Sequence, residues 1–283
     1  MKYLKGGSGV KIMKKGNEII KSISLEDRNR FEHLYNQFLY MKMLSSEGLT
    51  PEVYDCGFNT NTFYYKMKFE ESTEEFNLNK VLDNLSKVQK LKYPVPQYKF
   101  ETYLQRLSSH IKHLQTNELF WKLLHPFKFK VNDIYVNNFS LMELFQDGEQ
   151  YMNINPSLCH GDLTIENIIN DKFIDTNFLP NCWNHFMLDL AKLGQSLHYK
   201  YEETFGKDDN LFKINHCSDI SIIETNNFPE FDDSHSILNE RSVLYFETTH
   251  YLRMLKYKTN DRDFVIAYIR MCQCWEKYKE YNK

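Results

Sequence analysis

The chain has 283 residues, enough to bury a sizeable core as one large domain or as two modest lobes flanking a cleft. Its 42% hydrophobic, 26% charged and 15% aromatic residues describe an ordered globular protein and exclude a disordered tail. The formal net charge of -3, with lysines scattered rather than massed, removes the electrostatic reason to expect a nucleic-acid partner.

No apolar run is long enough for a signal-peptide core or for a membrane span of roughly 20 residues, so no membrane insertion is expected and a cytoplasmic location is. Six cysteines, Cys56, Cys159, Cys182, Cys217, Cys272 and Cys274, are spread without a C-x-x-C pair. Neither a zinc site nor a disulfide framework is indicated, and reduced thiols are expected.

In chain order, a glycine cluster at Gly6, Gly7, Ser8 and Gly9 precedes two short strand candidates, Val10 to Met13 and Glu18 to Ile23. The turn sequence KKGN separates them, with Gly and Asn where positive φ is cheap. Phe31, Leu34, Tyr35, Phe38, Leu39, Met41 and Leu44 then recur at helical spacing, and Ser24, with Asp27 three residues on, reads as the opening of that helix. Two more strands, EVYDCGF and TFYYKMKF, are joined by the turn-rich NTNT. Strand signals stop near Glu70 and Glu71, so residues 1–70 are expected to form a small antiparallel-sheet lobe.

From about Asn77 to Phe127 the periods are helical, in LNKVLDNLSKVQKL, YKFETYLQRLSSHIKHL and NELFWKLLHPF, broken by the extended KYPVPQ. A short strand-like block follows at 157–177. Three further helical stretches, FMLDLAKLGQSLHYKYEETF, SHSILNERSVLYFETTHYLRMLKY and DRDFVIAYIRMCQCWEKYKEY, complete a larger, mainly helical lobe over 71–283. The expected class is α+β with two lobes.

The block SLCHGDLTIENIINDKFIDTN interleaves polar groups with Leu158, Leu163, Ile165, Ile168, Ile169, Phe173 and Ile174. A three-residue hairpin loop centred on Asp171 would set Ile169 opposite Phe173, Ile168 opposite Ile174 and Asn167 opposite Asp175. An amide oxygen beside a carboxylate makes a partial shell for Mg²⁺, which completes its octahedron with water and substrate phosphates. Asp162, five residues before Asn167, is then free to accept a proton. D-x-x-x-x-N followed by a second Asp is a phosphoryl-transfer constellation.

In EIIKSI, strand alternation puts Lys21 on the face of Ile19 and Ile23, an unfavourable place for an amine unless it lines a cleft. Lys21 is the expected phosphate-binding lysine, with Glu32 as its partner and Glu26 as the second choice. Gly7, Ser8 and Gly9 are expected to offer backbone N–H groups to the phosphates.

HGDLTIENII resembles the catalytic loop of the aminoglycoside phosphotransferase and choline kinase group, and FIDTN resembles that group's metal-binding segment. DLAKLGQSLH, from Asp189 to His198, is similar to a helix of bacterial relatives associated with capsule and lipooligosaccharide biosynthesis. The resemblance implies a protein kinase-like fold, residues 1–70 as the nucleotide-binding lobe and 71–283 as the catalytic and acceptor-binding lobe. It implies ATP and Mg²⁺ as cofactors, with Asp162 as base and Asn167 and Asp175 as metal ligands. His160 and Asp189 would brace the catalytic loop. An adenine would be sandwiched by Val10 and Ile19 above and Ile169 below, and the backbone of Lys68, Phe69 and Glu70 would supply its edge hydrogen bonds.

The implied activity is phosphorylation of a small-molecule hydroxyl acceptor, a sugar or amino alcohol used in bacterial surface glycan biosynthesis. Trp183, His185, Glu247, His250 and Tyr251 are acceptor-side candidates by position alone. A nucleotide-binding pseudokinase or regulatory protein of the same fold is the alternative. A protein kinase is disfavoured by DTN in the place of D-F-G and by the lack of an A-P-E segment. A metal-dependent hydrolase lacks its histidine-rich ligand set.

Overall fold

The computed structural model describes residues 2–4, 10–95, 97–177, 182–206, 211–217, 219–226 and 228–281, the first three by backbone alone. In chain order its elements begin with β1 (Lys2–Leu4), β2 (Lys11–Lys15), β3 (Glu18–Ser24), α1 (Arg28–Ser46), β4 (Val53–Asn59), β5 (Thr62–Lys68) and α2 (Leu78–Lys90). Next come α3 (Phe100–Leu114), α4 (Glu118–Leu124), β6 (Lys128–Val131), β7 (Ile134–Asn137), α5 (Leu141–Gly148), β8 (Ile168–Ile169) and β9 (Lys172–Phe173). The chain continues through α6 (Phe186–Tyr199), α7 (Tyr201–Thr204), β10 (Lys213–His216), β11 (Ile220–Glu224), α8 (Arg241–Leu255) and α9 (Asp261–Glu280).

These elements form two compact units, Met1–Pro94 with Ser157–Leu179, and Val95–Pro156 with Pro180–Lys283. The chain leaves the first unit, returns to it for 157–179 and leaves again, an arrangement that one cut at residue 70 does not express.

The first unit is built on a five-stranded antiparallel sheet in the order β1-β2-β3-β5-β4. Gly16, at φ 61°, turns β2 into β3 as the KKGN signal requires. Helix α1 starts later than the Ser24 reading: Asp27 is its cap, accepting the Arg30 N–H at 3.2 Å, while Ser24 Oγ accepts the Glu26 N–H at 3.3 Å in the preceding turn. Phe31, Leu34, Phe38 and Met41 follow at helical spacing and pack on Ile23, Val53, Phe63, Tyr65 and Met67 of the sheet. Each large apolar side chain so buried contributes about 1.5–3 kcal/mol. In α2, Asn77 caps the first turn and Val81, Leu85 and Val88 are the buried stripe.

The β8–β9 hairpin differs from its expected register. Its loop has two residues, Asn170 and Asp171, both in the left-handed region at φ 49° and 61°, and it pairs Ile168 with Phe173 and Ile169 with Lys172. Asn and Asp tolerate this region, so the tighter turn forms, and every cross-strand partner moves by one residue.

The second unit holds a four-stranded sheet that the helical reading of this region did not anticipate. Its order is β10-β11-β6-β7, with β11 parallel to β6 and the other pairs antiparallel. In β6, Phe129 and Val131 are buried while Lys128 is exposed, the alternation of a half-buried strand. Helices α8 and α9 are buried on nearly all sides. Gly194 lets α6 approach α8 closely: a Cβ there would lie 2.8 Å from Glu247 Oε2. Among the described residues no helix is long and apolar enough to cross a membrane, and none of the six cysteines is in a disulfide.

Candidate active site

The whole constellation lies in the first unit. Gly161, at φ 88°, bends the chain so that the Asp162 N–H donates to His160 Nδ1 at 3.2 Å. With Nδ1 accepting, His160 Nε2 carries the ring proton and donates to the Ile174 carbonyl at 2.8 Å. Burial holds the His160 pKa below 6.5 and keeps the ring neutral. The Asp162 carbonyl accepts from Thr164 N–H at 3.0 Å and from Asn167 Nδ2 at 2.8 Å. Using its NH₂ in this way leaves Asn167 Oδ1 without a protein donor among the described residues. The Ile174 N–H donates to the Asn167 carbonyl at 2.9 Å, so Asn167 stands opposite Ile174 and not Asp175.

One residue further, Asp175 adopts φ 55°. Its Oδ1 receives Lys21 Nζ at 2.7 Å and Gln37 Nε2 at 3.0 Å, and Oδ2 has no protein donor among the described residues. Gln37 also donates to the Thr176 carbonyl at 2.5 Å and accepts from Tyr65 OH at 3.0 Å. Lys21 is 6% exposed whereas the Asp175 side chain is half exposed, so this is a buried ammonium with a carboxylate facing open space. Burial pulls the Lys21 pKa down, but Tyr65 and Asp175 outweigh it and the net shift is upward. For Asp175 burial acts upward, and the charge and hydrogen bond of Lys21 with the Gln37 bond reverse it to a net lowering.

Neither expected acidic partner meets Lys21. Glu32 lies on the exposed side of α1 and pairs with Arg28 at 3.0 Å, one helical turn away. Glu26 makes no ion pair among the described residues. The α1 side chain that reaches the Lys21–Asp175 pair is Gln37, 9% exposed between Leu34, Phe38 and Met41. A glutamine on an otherwise apolar helical stripe is the signal that could have found it, with Tyr65 as its buried counterpart on β5.

A cavity of about 210 Å³ brings together the predicted phosphate, metal and base-slot groups, while Asp162 is not among its lining residues. Lys21, Asn167 and Asp175 line it, as do Ile19, Ile169 and the segment Lys68, Phe69 and Glu70. Val10 is not among the lining residues: Ile12, two residues on, takes that place, and Val10 packs against the sheet's apolar cluster. The Lys68 and Phe69 N–H groups are spent on the carbonyls of Glu52 and Asn17, at 2.7 and 2.9 Å. Of the three, Glu70 N–H has no protein acceptor among the described residues. The Glu70 carboxylate is held by Lys172 at 2.8 Å. Gly7, Ser8 and Gly9 lie outside the described residues.

Among the described residues no three His, Cys, Asp or Glu groups cluster. Asn167 and Asp175, each with a side-chain oxygen that has no protein donor among the described residues, line one cavity, a set that fits Mg²⁺ taking its remaining ligands from phosphates and water.

The acceptor-side candidates belong to the interior of the second unit. Trp183 donates Nε1–H to the Ile154 carbonyl at 3.0 Å and stacks on the His185 ring. Glu247, fully buried, pairs with His198 at 2.8 Å, and His250 bonds the Leu188 carbonyl at 3.0 Å. Tyr251 and Asp189 are also fully buried.

No protein-family model and no curated protein sequence matches the chain. Solved structures do match it in fold. A protein of Haemophilus somnus 129PT described as a fructosamine-3-kinase superposes with a TM-score of 0.53 at 14% identity, covering 96% of this chain and 90% of that one. The choline kinase LicA of Streptococcus pneumoniae superposes at 0.50 with 14% identity, covering 99% and 95%. The chain shares with them an α+β, protein kinase-like fold, with an N-terminal antiparallel sheet and a larger, mainly helical C-terminal part.

Proposed function

We propose that the protein is an ATP- and Mg²⁺-dependent phosphotransferase that phosphorylates a hydroxyl of a small molecule. The observation that carries this reading is one cavity lined by Lys21 of β3 and by Asn167 and Asp175 on either side of the β8–β9 hairpin, beside the segment Lys68 to Glu70. The two structural relatives are themselves small-molecule kinases by name, which supports the same class of reaction.

In this reading the adenine lies between Ile19 and Ile169, with its edge at the Glu70 N–H. Lys21, fully charged at neutral pH, balances phosphate charge, and Asn167 and Asp175 hold the cation. Mg²⁺, when bound, neutralises the charge that develops on the transferred phosphoryl group. Asp162 orients the acceptor hydroxyl and takes its proton late in the transfer. Its backbone is pinned by His160 on one side and by Asn167 and Thr164 on the other, so the loop that carries the carboxylate needs no backbone ordering at each turnover. The acceptor we assign is a sugar or amino alcohol destined for a bacterial surface glycan, phosphorylated in the cytoplasm, on the strength of the Asp189–His198 segment.

The test is ADP release from Mg·ATP across a panel of sugars and amino alcohols, with Asp162→Ala alongside wild type. Turnover in wild type that falls by about 10²–10⁴-fold in Asp162→Ala, with nucleotide affinity retained, is the expected result. Tight Mg·ATP binding without turnover on any acceptor would instead support a regulatory protein of the same fold.

A further inference from the structure

The β8–β9 turn is built from two left-handed residues, neither of them glycine. Two-residue hairpin turns of this kind favour Asn-Gly or Asp-Gly, because a Cβ is strained there. Both side chains have partners. Asn170 Oδ1 accepts the N–H groups of Thr73 at 2.9 Å and Glu74 at 3.3 Å, and its Nδ2 donates to the Glu71 carbonyl at 2.9 Å. Asp171 is 7% exposed; its carboxylate pairs with Lys80 at 3.0 Å and its carbonyl accepts from Asn84 Nδ2 at 2.9 Å. The neighbouring Lys172 holds Glu70. Three consecutive hairpin residues therefore grip the chain between Glu70 and Asn84. Immediately before them, Ile169 lines the cavity that Phe69 and Glu70 also line.

We propose that Asn170 is a positioning residue for the nucleotide base: its amide staples the segment Glu71–Glu74 to the hairpin and so sets the spacing between Ile169 and Glu70 across the base slot. The inference rests on reading the cavity as a nucleotide site. It separates base from phosphate, because Lys21, Asn167 and Asp175 are held by Gln37, Tyr65 and the Asp162 carbonyl and share no hydrogen bond with Asn170. Asn170 acts on the part of the ligand that carries the purine and leaves the polyphosphate grip alone.

The experiment measures dissociation constants of Mg·ATP and, by competition, Mg·tripolyphosphate for wild type, Asn170→Gly and Asn170→Asp. Glycine keeps the positive φ and deletes every amide bond; aspartate keeps the acceptor for the Thr73 and Glu74 N–H groups. Asn170→Gly should weaken Mg·ATP by about tenfold while tripolyphosphate changes by less than about twofold, and Asn170→Asp should recover most of the ATP loss. Equal loss for both ligands would mean general loosening and would overturn the proposal, as would unchanged ATP affinity in the glycine variant. Should Asn170→Gly not fold, Asn170→Asp decides: it keeps the acceptor but loses the bond to the Glu71 carbonyl, so an about two- to threefold loss of ATP affinity with tripolyphosphate unchanged upholds the staple, and loss of both ligands by the same factor, or of neither, rejects it. A wild type that binds neither ligand would instead remove the nucleotide reading beneath it.

Discussion

Replacing Gln37 with leucine removes one side chain and strips three groups of a partner. Tyr65 OH is fully buried and donates to Gln37 Oε1; the Thr176 carbonyl and Asp175 Oδ1 both accept from Gln37 Nε2. Asp175 keeps its bond from Lys21, so the cost falls on Tyr65 and Thr176. A buried donor or acceptor left without its counterpart costs about 1–3 kcal/mol, so the Tyr65 O–H, whose oxygen still meets Lys21, and the Thr176 carbonyl together cost about 2–6 kcal/mol. Leucine's own apolar burial returns about 1 kcal/mol, leaving a net loss near 3 kcal/mol. Urea unfolding should show a lower midpoint with an unchanged slope, since the surface exposed on unfolding is the same. Gln37→Glu keeps an acceptor for Tyr65 but turns a carboxylate toward Asp175 and the Thr176 carbonyl, so it should be destabilised at neutral pH and regain stability as pH falls. A Gln37→Leu unfolding free energy within about 0.5 kcal/mol of wild type would refute the network as described.

Gly194→Ala should destabilise by about 1–3 kcal/mol, read as a lower thermal midpoint, because its methyl would sit 2.8 Å from Glu247 Oε2 in a fully buried pair. Acid should act through buried histidines: burial holds His110 and His185 down to about 4 and lowers His160 as well. Their unfolded values lie near 6.5, so the unfolded chain binds the extra protons. Stability should be full above pH 6.5 and decline as pH falls toward 4, by up to about 1.4 kcal/mol per pH unit for each histidine, in urea midpoints compared at neutral and mildly acidic pH. The Lys21–Asp175 pair behaves differently at the extremes. Asp175 is depressed below 3.8, so its contribution persists through neutral pH and is lost only as pH falls through that lower value. Lys21 is raised above 10.5, so its contribution is lost only as pH rises past its folded value. Asp175→Asn should therefore flatten the most acidic part of the stability profile.

Much of the first unit was legible because its signals are local. Glycine at the β2–β3 turn, alternation in β3 and β5, and the apolar stripe of α1 each bear on a few adjacent residues. Lys21 stood out because an amine on an apolar strand face demands a partner, and the structure supplies Asp175. The misplaced details are those that long-range contact decides. Asn170 and Asp171 can close a two-residue or a three-residue loop on local grounds, and only their grip on residues 70–84 selects the tighter turn. Glu32 looked suitable by charge and proximity, yet the helical phase of α1 turns Gln37, not Glu32, toward the sheet. Strands β6 and β7 have four residues each, too short for alternation to emerge from the neighbouring helical periods, and β6 pairs with a strand some ninety residues away. Trp183 stood out because it follows the metal segment, and Glu247 and His250 because they sit in a late helix, whereas each finds its partner within the second unit's core.

The central claim is that Lys21, Asn167 and Asp175 share one nucleotide–metal site. Calorimetric titration of ATP into wild type and Asp175→Ala, each with and without Mg²⁺, tests it most directly. The account predicts Mg²⁺-dependent binding in wild type that is lost in Asp175→Ala; equal Mg·ATP affinity in the two proteins would contradict it.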